Sequence, residues 1–125
     1  MLTEKDYCDY DTCVALEELG ITYFGLHFYK IGYPETLHHN YMQYLTERTA
    51  GALGRVLAIP LYSAQKWLRE EKNLHIEVRW YSNLCYEYEV KEAEGKIFAE
   101  GTAFMTYEEA LSTAVYMATK YLKER

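Results

Sequence analysis

Apolar residues recur at every second position in some stretches of this chain and at every third or fourth in others, with turn-forming residues between them. Read in order, the two periods give α-β-(α)-α-β-β-β-α, which predicts an α+β fold: a mostly antiparallel sheet with helices packed on one face. Length is the third observation. At 125 residues, half of them apolar, the chain is expected to form a single domain over 1–125 that buries a core of its own.

The first element is a short helix. Asp11 suits its N-cap, Val14, Ala15, Leu16 and Leu19 give it an apolar side, and Gly20 stands where a left-handed residue ends a helix. Ile21 can then reach back to Leu16, as in a Schellman ending. From Ile21 to Lys30 the period becomes two: Thr22, Phe24, Leu26 and Phe28 fall on one side, and Tyr23, Gly25, His27 and Tyr29 on the other. Gly32-Tyr33-Pro34 breaks this strand. Leu37, Tyr41, Tyr44, Leu45 and Arg48 have helical spacing, so a helix is expected near Thr36–Thr49, with a long functional loop as the rival reading.

Pro60 suits the first position of the next helix, whose buried stripe is Leu61, Ala64, Trp67 and Leu68 and which Asn73 can close. Leu74, Ile76, Val78 and Trp80 then alternate with His75, Glu77 and Arg79. Beyond a turn at Tyr81-Ser82-Asn83, Leu84, Tyr86, Tyr88 and Val90 oppose Cys85, Glu87, Glu89 and Lys91, which predicts an antiparallel hairpin. Glu94-Gly95 turns into a third strand, Lys96 to about Phe104, with Gly101 marking a bulge. Thr106-x-x-Glu109 is a capping box for a last helix carrying Ala110, Leu111, Ala114, Val115, Ala118, Tyr121 and Leu122 at helical spacing.

Fourteen tyrosines on a chain of net charge −6 set the functional expectations. Tyrosine suits contact surfaces that are both apolar and wet. It also stacks on bases, but base-stacking proteins add a basic groove for the phosphates, and an acidic chain does not supply one on average. Nucleic acid is therefore not the expected partner; protein contact or self-association is. No apolar run approaches the roughly 20 residues of a membrane span. Met1-Leu2-Thr3-Glu4-Lys5-Asp6 does not resemble a secretory leader, and three cysteines without a framework spacing suggest reduced thiols in the cytoplasm.

Motifs for chemistry are sparse. His38-His39 lacks the further ligands at the spacing zinc requires, so no metal and no cofactor is expected. Cys85 lies opposite the His75/Arg79 strand, which keeps a cysteine–histidine enzyme open as an alternative. The acidic pairs Glu17/Glu18, Glu70/Glu71, Glu87/Glu89 and Glu108/Glu109 suit solvated faces, and no phosphate-binding glycine loop is present in the sequence. One constellation remains. If Phe24, Leu26, Phe28, Leu74, Ile76, Val78 and Trp80 face the helices, the open sheet face carries Tyr23, His27, Tyr29, His75, Glu77, Arg79, Cys85, Glu87 and Glu89. Tyr23, His27, Tyr29, His75 and Arg79 are its candidate binding residues, for a protein or, alternatively, for nucleic acid.

The helix Asp11–Gly20, Pro60 leading into Gln65-Lys66-Trp67-Leu68-Arg69-Glu70, then His75-Ile76 and Thr106-Tyr107-Glu108-Glu109-Ala110 together resemble small uncharacterised proteins encoded by gut bacteria and their phages or prophages. The resemblance covers about half the chain and departs over 35–59. It implies an origin on a mobile element and carries no catalytic residue with it.

Overall fold

A computed structural model describes residues 2–31, 33–39, 45–46, 54–81 and 85–125. The α+β class is what it contains: helices and antiparallel strands, segregated along the chain. The chain divides into two compact units, Met1–Pro60 and Leu61–Arg125, and its strands form separate sheets.

In the first unit, α1 (Tyr10–Glu18) begins two residues earlier than its sequence suggests. Asp9, and not Asp11, is the N-cap, its carboxylate accepting from Thr12 N at 2.9 Å. The preceding backbone decides this: Tyr7 bridges Pro60 and Cys8 N donates to Ile59 O at 2.8 Å, which holds the chain extended up to Asp9. At the other end Gly20 has φ +95°, Ile21 N donates to Leu16 O and Gly20 N to Glu17 O, which is the expected Schellman ending. Leu16 and Ile21 are both buried there.

The strand expected over Ile21–Lys30 is two strands, β1 (Phe24–Gly25) and β2 (His27–Lys30), parted at Leu26. The helix expected near Thr36–Thr49 is not formed where the chain is described: Thr36–His39 belongs to β3 (Tyr33–His39), and Leu45–Thr46 is β4. The remainder of that expected helix lies outside the described residues. β1 pairs with β4, while β3 and β5 (Arg55–Leu57) flank β2 on either side. Helical spacing lost to pairing because β2 needs partners for its backbone groups, and Phe28↔His38 and Phe28↔Leu57 provide them.

In the second unit, α2 (Leu61–Lys72) buries Leu61, Ala64 and Leu68 and ends at Asn73, whose φ of 56° is the left-handed conformation asparagine tolerates. β6 (Leu74–Tyr81), β7 (Cys85–Glu92) and β8 (Ile97–Phe104) form an antiparallel sheet in that order. The hairpin register runs without a break from Leu74↔Glu92 to Tyr81↔Cys85; beyond Tyr81, the expected turn at Ser82-Asn83 lies outside the described residues. The expected bulge is present. Tyr86 pairs with Phe104 and Tyr88 with Gly101, so β8 carries an extra residue there, and Ala103 takes φ 69°. Thr106 caps α3 (Tyr107–Glu124) by accepting from Glu109 N at 3.1 Å. Ala110, Ala114 and Ala118 lie one turn apart and fully buried, so small side chains let α3 approach the sheet closely, and Val90, Ala99 and Tyr88 of the sheet are buried as well.

Candidate functional site

The strand residues of the expected open face belong to separate sheets. Tyr23, His27 and Tyr29 belong to the first unit, and His75 and Arg79 to the second, so alternation along separate sheets does not place the five together. Tyr29 is 4% exposed, against the expectation that it points to solvent. β2 is the central strand of its sheet and both of its faces are covered. On one, Phe28 packs with Leu57 and Tyr23, stacks on His38 and lies under the Arg55 guanidinium. On the other, the Tyr29 hydroxyl donates to Cys8 O at 2.7 Å and its ring meets Tyr10 edge-on. Burial pushes the Tyr29 phenol well above its ordinary pKa, so it is a neutral donor holding the Cys8 carbonyl. Tyr23 is half-buried, and His27 is held beside Tyr7 with its Nδ1 3.1 Å from the Tyr7 hydroxyl.

The outer face of the second sheet is charged. Arg79 reaches Glu77 and Glu87 at 2.9 Å and Glu89 at 2.7 Å, and Lys91 lies 3.2 Å from Glu89. The Arg79 bond, then the Lys91 bond, hold the Glu89 carboxyl below its usual range, and the carboxylates raise Arg79. A recess of about 340 Å³ opens here, lined by Glu87, Glu89, Glu100 and Thr102 with Tyr88 and Gly101. A carboxylate kept ionised in this way attracts cations and has no proton to give at neutral pH. His75 sits on this face opposite Lys91.

Cys85 and His75 are not brought together. His75 pairs with Lys91 and Cys85 with Tyr81, at opposite ends of the hairpin. Six residues of strand separate the two rungs, about 20 Å at the usual rise, far beyond hydrogen-bond reach. In the first unit, Cys8 and Cys13 are buried, and Cys13 Sγ accepts from Ile59 N at 3.4 Å. The neighbouring Cys13 thiol and then burial push the Cys8 thiol well above its ordinary pKa, which suppresses the nucleophilic thiolate. His38 is a strand residue stacked on Phe28. Among the described residues no three His, Cys, Asp or Glu side chains are grouped to hold a metal ion, and no helix is long and apolar enough to cross a membrane.

A different surface emerges at one end of the second sheet. Along β6 the helix-facing side chains go from buried Leu74 and Ile76 through half-buried Val78 to Trp80, which is 65% exposed. Trp80 was expected in the core; α2 and α3 cover the Leu74 end of the strand and leave the Trp80 end bare. Trp80 pairs across to Tyr86, and Tyr86 to Phe104, so three aromatic residues lie side by side on one face. Tyr107 at the start of α3 meets the Tyr86 ring edge-on at 6.0 Å, and Met105 beside it is 72% exposed. Alternation alone misses this row, because it assigns a face without saying how far the helices extend along it. The signal lay in aromatic residues clustered at two strand ends, Trp80-Tyr81 and Phe104 to Tyr107, which the hairpin register brings to the same edge.

Comparison with family models, with curated proteins and with solved structures finds no match to this chain.

Proposed function

We propose that this protein acts by protein–protein contact, through the aromatic end of its second unit. The observation that carries the reading is Trp80, an indole 65% exposed at the end of an apolar row that begins buried at Leu74 and Ile76, beside Tyr86, Phe104, Met105 and Tyr107. Trp and Tyr are the side chains most often found as binding hot spots, and Met adapts its shape to a partner. The net charge of −6 and the carboxylates on the opposite face favour a partner with an apolar pocket and a basic rim. The same carboxylates repel phosphates, which weighs against a nucleic-acid ligand despite the aromatic row. A cytoplasmic setting is part of the proposal, on an odd number of cysteines without a framework spacing.

The test is a variant carrying Trp80→Ala and Met105→Ala, two side chains largely in solvent, compared with wild type for partner capture by a photo-crosslinker placed at position 107. Loss of a hot spot worth 2 kcal/mol weakens binding about thirtyfold, so the captured protein should disappear while the unfolding curve stays in place. A variant that retains every partner sinks the proposal, and capture of RNA or DNA in place of protein transfers it to nucleic acid.

A further inference from the structure

Among the described residues no strand pairs with β6 on the side away from β7. Natural edge strands are blunted by prolines, bulges, or lysines, and β8, the other edge, has two register shifts. β6 has no proline and no bulge over its eight residues, Leu-His-Ile-Glu-Val-Arg-Trp-Tyr, its register is unbroken, and its two charges, Glu77 and Arg79, are of opposite sign. Gln65 Nε2 of α2 donates to the Ile76 carbonyl at 3.1 Å. We take this bond to place the backbone groups of Ile76 on the edge side, where the carbonyl keeps its second lone pair for a strand N–H. By alternation Val78 and Trp80 face it too.

From this edge we infer that β6 pairs antiparallel with β6 of a second copy of the chain, about a two-fold axis at Val78. That register sets Glu77 opposite Arg79 of the second copy, and Arg79 opposite its Glu77. On the other face it sets Ile76 opposite Trp80, and at the ends His75 opposite Tyr81. A two-fold axis at Glu77 or Arg79 would set like charges directly against each other, which destabilises an antiparallel pair. Both charged side chains remain accessible, Glu77 at 50% and Arg79 at 44%, and an arginine with five donors can serve its own carboxylates and one more. The Val78-centred register also sets edge-facing residues against edge-facing residues, so the backbone bonds and the side-chain pairing agree. The same closed, isologous contact joins two three-stranded sheets into one of six and removes the edge.

The inference goes beyond the proposed function, and its test leaves Trp80 and Met105 in place. Sedimentation velocity is run on wild type, on Glu77→Lys, on Arg79→Glu, and on an equimolar mixture of the two variants. Wild type should sediment as a dimer. Each variant alone opposes like charges at both crossings and should sediment as a monomer, and the mixture, which opposes unlike charges at both, should return to a dimer. Tryptophan fluorescence checks that the variants are folded. Independently, Val78→Cys in the otherwise native chain should be joined 78 to 78 between chains by a short bis-maleimide, mapped by peptide mass spectrometry, because paired positions bring Cβ atoms about 4.5–5.5 Å apart. A monomeric wild type, a dimer indifferent to the charge changes, or crosslinking that avoids position 78 overturns the inference. A monomeric wild type that still captures a protein partner at the aromatic end overturns this inference alone, and a dimeric wild type whose Trp80→Ala/Met105→Ala variant keeps every partner overturns only the functional proposal.

Discussion

Ala103 is the place where a single methyl group works against the fold. Between Tyr86↔Phe104 and Tyr88↔Gly101, β7 advances from 86 to 88 while β8 advances from 101 to 104, and the extra residue is absorbed by Ala103 at φ 69°. An L-residue in the left-handed region costs roughly 1–2 kcal/mol through its Cβ. Glycine removes that cost but gives back about 0.5–1 kcal/mol through the freedom of the unfolded chain. Ala103 is exposed, so little packing is lost with the methyl. Ala103→Gly should therefore stabilise the second unit by about 0.5–1 kcal/mol. Both tryptophans, Trp67 and Trp80, lie in that unit, so tryptophan fluorescence in urea follows it without a signal from the first. With a slope near 1 kcal/mol per molar the midpoint should rise by about 0.5–1 M at unchanged slope. Ala103→Val, with a β-branched side chain in the same conformation, should lower it. A glycine variant no more stable than wild type, or a valine variant equal to it, would refute the argument that Ala103 stores backbone strain.

Two further outcomes follow from the geometry. Tyr29→Phe keeps the buried ring but strips the hydroxyl that donates to Cys8 O at 2.7 Å, and should cost about 1–3 kcal/mol, the penalty for leaving a buried acceptor short of its partner; far-UV circular dichroism in urea measures it, and an unchanged curve would mean that Tyr29 is a surface residue after all. Glu89 has its pKa lowered by Arg79 first and Lys91 second, so its contribution to stability is fully present above the unfolded value of about 4.3 and is lost as pH falls through the lower folded value. A carboxyl titration followed by NMR should place the Glu89 midpoint below the ordinary range, and Arg79→Gln should raise it.

Local chemistry made much of the fold legible. The Schellman ending at Gly20-Ile21, the helix end at Asn73 and the Thr106 cap each depend on residues within a few positions of one another and are found where the sequence puts them, and the hairpin expected of Leu74–Trp80 with Leu84–Val90 is the antiparallel pair Leu74–Tyr81 with Cys85–Glu92. The candidate site was less legible. Alternation says that Tyr29 and Phe28 point to opposite faces, which they do; it does not say that Cys8 and Tyr10 cover one face while Leu57 and His38 cover the other. It likewise puts Trp80 on the helix side of its sheet without recording that the helices leave that end bare.

The same division runs through the segment around Thr36. Leu37, Tyr41, Tyr44 and Leu45 have the period of a helix, yet Thr36–His39 becomes a strand because an unpaired β2 edge is a stronger constraint than a weak local preference. By itself the sequence determined the α+β class, the second unit's strand order and its helix ends, since these follow from periodicity and from backbone conformations that only certain residues adopt. Tertiary structure alone decided which faces are covered, which strand pairs β2, and which aromatic residues are left in solvent. Those outcomes depend on groups distant in sequence competing for the same backbone partners and the same apolar surface.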